Sequence, residues 1–140
     1  IRYPDCYGID MSLLQDFVAF QAAIALLKER GKEQVIKDVY EMCLKELESS
    51  NSHNQHNHVQ KIYEQFTDEE ISAKIAELLR PAEIKAEVEI IYQTIDGLHK
   101  ACPDHTGDWY FSGNYPTTGG NRVVNRAFVN YFEGKRVRAY

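Results

Sequence analysis

Cysteine is scarce: Cys6, Cys43 and Cys102 are the whole supply. They form no CxxC pair and an odd number leaves no disulfide framework, so they read as reduced thiols of a cytoplasm-like compartment. No run of about 18 apolar residues occurs, which excludes a helical membrane span. The opening Ile1-Arg2-Tyr3-Pro4-Asp5 lacks the charged-then-apolar layout of a signal peptide. It also lacks an initiator Met, and reads as the start of a piece cut from a longer chain. Neither GxGxxG nor GxxxxGK[ST] is present, so no standard phosphate-cradling loop is spelled out. No internal repeat is visible. The formal net charge of −5 removes any global attraction to nucleic acid.

What is present suits one ordinary globular domain. The chain has 140 residues, 44% hydrophobic and 26% charged, enough to bury a core. Charge is uneven. From Asn121 onward, Arg122, Arg126, Lys135, Arg136 and Arg138 face one acid, Glu133, which makes a basic tail on an acidic body.

Apolar spacing predicts a mainly α-helical fold. Residues 1–11, with Pro4 and Gly8, read as an extended exit from an upstream domain. Ser12-Leu13-Leu14-Gln15 has the form of a capping box. Leu13, Leu14, Phe17, Val18, Ile24 and Leu27 then follow a helical stripe that Gly31 stops. A second helix is expected over about 33–47, on Val35, Ile36, Val39, Tyr40, Cys43, Leu44 and Leu47. Residues 49–57 are polar and read as a mobile surface connection. A short helix carries Val59, Ile62, Tyr63 and Phe66. Thr67-Asp68-Glu69-Glu70 is a second capping box, opening a helix with Ile71, Ile75, Leu78 and Leu79 that runs to Pro81. Glu87-Val88-Glu89-Ile90-Ile91-Tyr92 alternates and suits a short strand or the start of another helix. Residues 94–101 look helical despite Gly97. Residues 102–118 form a long loop whose Trp109, Tyr110, Phe111 and Tyr115 are expected to pin it to a core. A last helix is expected over about 121–132, with Val124, Phe128, Val129, Tyr131 and Phe132, closed by Gly134. The fold class is therefore a bundle of five or six helices with at most one or two short strands and an aromatic-rich loop near the C-terminus. Its parts are the exit (1–11), the helical body (12–101), the aromatic loop (102–118), and the last helix with its basic tail (119–140).

Candidate chemistry is thin. His53, His56 and His58 lie in His-Asn-Gln-His-Asn-His, and clustered imidazoles suit Zn²⁺ or Ni²⁺. A native site needs rigid spacing and an outer shell of hydrogen bonds, which a polar connection does not offer, so a solvated loop is expected. Gly119-Gly120-Asn121-Arg122 precedes a helix, where open N–H groups bind anions; a tight turn into the helix is the simpler account. Asp5, Asp10, Asp16, Asp96, Asp104 and Asp108 are the acids off solvent-facing helix positions, and none is paired as an acid/base dyad. No spacing favours a Cys/His nucleophile over core use. No catalytic, cofactor or metal residue is assigned.

Three stretches carry a family resemblance. Tyr3-Pro4-Asp5-Cys6-Tyr7-Gly8-Ile9-Asp10-Met11 resembles the segment that follows the last core strand of the phosphoribosyltransferase domain in amidophosphoribosyltransferases. Phe111-Ser112-Gly113-Asn114-Tyr115-Pro116-Thr117 looks like that family's tail motif. The run from Ala86 to Leu98, Ala-Glu-Val-Glu-Ile-Ile-Tyr-Gln-Thr-Ile-Asp-Gly-Leu, is similar to the strand and helix before it. The resemblance implies a parent that is both a glutamine amidotransferase and a glycosyltransferase. A glutaminase with a terminal Cys nucleophile would release ammonia, and a magnesium-using phosphoribosyltransferase would add it to phosphoribosyl pyrophosphate in purine biosynthesis. Neither the nucleophile nor the ribose-phosphate loop has a matching position here, so the piece itself is expected to be inactive. Where some members carry the CxxC of an iron–sulfur cluster, this chain reads Gly107-Asp108-Trp109-Tyr110, and no cluster is expected. Residues 15–83 exceed the family's usual connection and look like an insertion.

Three roles compete. The first is a non-catalytic C-terminal part of such a transferase, serving domain contacts, closure or a homo-oligomer, with the upstream domains of the same polypeptide as partners. The second is an independent helical interaction module. The third is an anion- or nucleotide-binding regulatory domain resting on Gly119–Arg122 and the basic tail. Nucleic-acid and membrane partners are not expected.

Overall fold

The computed structural model describes residues 14–49, 55–105 and 107–139. The described residues are mainly helical and contain no strand. A 3-10 turn, Leu14–Asp16, leads into α1 (Val18–Glu29), followed by α2 (Gln34–Glu48), one-turn α3 (Gln60–Tyr63), α4 (Asp68–Leu79), α5 (Ile95–Ala101), one-turn α6 (Trp109–Ser112) and α7 (Thr118–Phe132).

The first helix is central because its sequence is apolar nearly all round. Ala19, Phe20, Ala22, Ala23, Ile24, Leu26 and Leu27 are all buried. Three small alanines let neighbours approach closely, and a helix without a polar face has to sit inside. It packs on α4, while α2 packs on α7. Phe20 joins these layers, meeting Phe128 edge-on at 6.0 Å and Tyr131 at 4.7 Å between ring centroids. Leu27, Val39, Cys43, Val59, Ile62, Ile75 and Val124 complete the core at 0% exposure.

Helix ends follow local chemistry. Gly31 adopts φ +64, which only glycine reaches cheaply. Lys32 N–H then donates to Leu27 C=O at 2.8 Å and Gly31 N–H to Lys28 C=O at 3.1 Å, closing α1 as a Schellman motif; Gly134 closes α7 in the same way. Thr67 and Glu70 form the expected capping box of α4. Arg30 pairs with Glu70, and Lys74 reaches Glu29 at 2.5 Å, tying the end of α1 to the start of α4.

Several boundaries differ from expectation. The Ser12 box falls outside the described residues; α1 begins at Val18 after Phe17, with no side-chain cap. Leu78 and Leu79 are not core: both are exposed, because the buried seam that Ile71 and Ile75 occupy ends before the last turn of α4. Residues 87–92 are neither strand nor helix, since among the described residues no strand offers a ladder. Ile90 and Tyr92 still pack on the core while Ile91 stands 84% exposed. The last helix starts at Thr118, not near 121. Thr117 caps it by accepting from Gly120 N–H at 3.4 Å, so Gly119 and Gly120 lie in its first turn. A Cβ on Gly120 would stand 2.8 Å from the Tyr115 ring, which explains a glycine in a helix.

Candidate functional site

The densest polar cluster surrounds Asn125, an α7 residue with no exposed surface. Burying an amide requires partners for its donors and acceptor, and Asn125 has them. Its Nδ2 donates to His56 C=O at 2.8 Å. Its Oδ1 accepts from His58 N–H at 3.1 Å and from Cys43 Sγ at 3.5 Å. One turn earlier, Asn121 Nδ2 donates to Gln55 C=O at 2.5 Å. Two asparagines one helical turn apart on one face of α7 thus hold residues 55–58 by their backbone.

From the opposite side α2 contributes Glu46. Its Oε1 accepts from His56 N–H at 2.8 Å and lies 3.2 Å from His56 Nδ1, while Oε2 meets His58 Nε2. Glu46 and His58 side chains are 14% and 15% exposed, against 67% for His56. Burial pushes the Glu46 carboxyl up, but the His56 N–H and the two imidazoles outweigh it and hold it below the usual carboxylate range. Burial, with the Glu46 charge beside it, pushes the Cys43 thiol up to about 12. A thiol at that value is a packing group rather than a nucleophile. The neighbouring Gln55 Oε1 is buried with no hydrogen-bond partner.

The same segment grips the tail motif. Asn57 Nδ2 donates to Gly113 C=O at 3.2 Å, and Gln60 Nε2 donates to Ser112 C=O and to Asn114 Oδ1, both at 2.9 Å. Gly113 is buried at φ +73. The loop is thus held at Ser112–Asn114, Tyr115 packs against the core, and Trp109 is 37% exposed, beside Tyr115 at 6.0 Å. Expected contacts with residues 3–11 lie outside the described residues.

The histidine stretch is thus placed differently from expectation. Helices on two sides fix the backbone of both His56 and His58, and the His58 ring is nearly enclosed while the His56 ring stays exposed. His53 lies outside the described residues. Among the described residues, no three His, Cys, Asp or Glu side chains already stand arranged as metal ligands. Gly119–Arg122 forms the first turn of α7, where Thr117 takes the Gly120 N–H and the Asn121 side chain donates to Gln55 C=O.

The candidate acids stay dispersed. Asp16 pairs with Arg136 at 3.5 Å, Asp96 sits in the first turn of α5, and Asp104 is exposed. Asp108 is near His99 at 3.3 Å and accepts from Ser112 Oγ at 3.2 Å. With the acid in the middle, that order cannot activate the serine as a nucleophile. Asp5 and Asp10 lie outside the described residues.

A second feature is a groove of about 500 Å³ between α4 and residues 88–94, with Asp68, Glu69, Glu77, Arg80 and Glu89 around it. Exposed Leu78, Leu79, Ile84, Val88 and Ile91 lie on the same stretch of chain. No described helix is long and apolar enough to cross a membrane. Comparison with family models, with curated proteins and with solved structures finds no match.

Proposed function

We propose that this chain is the non-catalytic C-terminal part of a cytoplasmic amidophosphoribosyltransferase, and that it acts by docking against the rest of the enzyme. The observation that carries the docking role is the set of exposed apolar residues Leu78, Leu79, Ile84, Val88 and Ile91 on one stretch of chain. Exposed large apolar side chains grouped on one stretch are the mark of a surface built to be covered. The transferase assignment rests on the three matching stretches. Chemistry would reside in the parent's glutaminase and phosphoribosyltransferase domains, with magnesium serving the latter.

The test begins with the complete reading frame, which should encode a glutaminase with a terminal Cys and a phosphoribosyltransferase core upstream. In that enzyme, Ile91→Asp and Leu79→Asp should lower phosphoribosylamine formation, and the chain alone should release no ammonia from glutamine. A frame without those domains would overturn the transferase assignment and favour an independent interaction module presenting the same apolar residues. Ammonia release by the chain alone would overturn the non-catalytic role.

A further inference from the structure

We infer that Glu46, His56 and His58 form a binding site for a divalent transition cation of the Zn²⁺ type, placed where α2 meets residues 55–60. Two imidazoles and one carboxylate are a donor set that such ions favour, and both histidines already lie against Glu46. Glu46 Oε2 meets His58 Nε2, and Glu46 Oε1 lies 3.2 Å from His56 Nδ1. A site differs from a chance cluster in having its ligands on a rigid backbone, and that backbone is present here. Asn125 holds His56 C=O at 2.8 Å and His58 N–H at 3.1 Å, and Glu46 itself holds His56 N–H at 2.8 Å.

Two arms, Glu46 and His58, are nearly buried and in contact. The third has to turn: the His56 ring lies 6.3 Å from that of His58, centroid to centroid. At 67% exposure this ring can rotate about its side-chain bonds while its backbone stays fixed, bringing a nitrogen to the Glu46–His58 edge. The cation would take the place of the Glu46–His58 hydrogen bond. The His58 ring then carries its proton on Nδ1, so that the Nε2 lone pair faces the metal. Three protein ligands leave a fourth position for water, the open arrangement of zinc sites. The bound ion would clamp residues 55–60, and with them the grip on Ser112–Asn114, onto α2.

The experiment uses the untagged chain, stripped with chelator, and titrated with Zn²⁺ by calorimetry and with Co²⁺ by visible absorption. Expected are one ion per chain and a Co²⁺ spectrum of low coordination number. Glu46→Gln and His58→Gln, checked for fold by circular dichroism, should each weaken binding by at least about tenfold. His99→Gln and His105→Gln should leave it unchanged. If Glu46→Gln lowers stability too far, His56→Gln on the exposed arm serves instead, with the same expected loss. Absence of saturable one-to-one binding would overturn the site. So would binding that Glu46→Gln and His56→Gln leave intact, because the ion would then be held elsewhere.

Discussion

Replacing Asn125 by alanine removes the one side chain that touches three parts of the cluster at once. His58 N–H loses its acceptor, His56 C=O loses its donor, and Cys43 Sγ loses its contact. Leaving a buried donor or acceptor unmade costs about 1–3 kcal/mol for each group. Both backbone groups belong to half-buried or exposed residues, so water reaches them in part and the lower half of that range applies. The expected loss is about 2–4 kcal/mol, a large share of the ~5–15 kcal/mol that holds a domain folded. Urea unfolding at neutral pH should show a lower midpoint with an unchanged slope. The His58 amide should also exchange with solvent faster. Asn130→Ala is the control on the same helix: Asn130 is also buried, but its Nδ2 bond to Val137 C=O is longer, at 3.3 Å, and about 1 kcal/mol is expected. If Asn125→Ala cost less than about 0.5 kcal/mol, or no more than Asn130→Ala, the idea that this amide pins residues 55–58 would be wrong.

Three further outcomes follow from the same geometry. Glu46 titrates below its ordinary range in the folded chain, so the unfolded chain takes up a proton first as pH falls. Its contribution is full above the ordinary carboxylate range and disappears as pH drops through the lowered folded value; Glu46→Gln should flatten that acid limb in melting curves taken across pH. Gly120→Ala should cost about 1–3 kcal/mol, since the new methyl meets the Tyr115 ring at 2.8 Å; the cost should shrink in a Tyr115→Ala background, and an unchanged cost would place the clash elsewhere. With its thiol pushed up to about 12 and buried, Cys43 should resist alkylation at pH 8 until the chain unfolds, while exposed Cys102 reacts. Peptide mapping that finds Cys43 labelled in the native protein would contradict the burial.

The elements legible in sequence are those whose causes are local. Thr67 and Glu70 are three residues apart, so their reciprocal capping bonds depend on nothing beyond one turn, and α4 begins where they say. Gly31 and Gly134 end helices because a left-handed residue is cheap only for glycine. Val39, Cys43 and Leu47 recur at helical spacing, and α2 turns that stripe inward. By contrast, Leu78 and Leu79 extend an apolar pattern that the structure does not bury. How far a seam runs along a helix depends on the length of its neighbour, which periodicity does not contain.

The histidines mark the same limit at the candidate site. Composition around residues 53–58 is that of a surface connection, and nothing within ten residues shows that His58 is nearly enclosed. Its partners are Glu46, twelve positions earlier, and Asn125, 67 positions later. Asn125 itself reads as one more polar residue on a mixed helix, yet its burial decides where residues 55–58 go. Gly120 was visible as half of a Gly-Gly pair, but its reason is the Tyr115 ring. By itself, then, the sequence determined the helical class, the Thr67–Glu70 cap, the Gly31 and Gly134 stops and much of the core, because propensity, capping and hydrophobic spacing act within a few turns. The polar clasp of Glu46, His56, His58 and Asn125, and the exposed apolar residues on the stretch from Leu78 to Ile91, were decided only by the tertiary structure. A buried hydrogen bond is worth making only when a distant partner arrives, and a surface stays exposed only when none does.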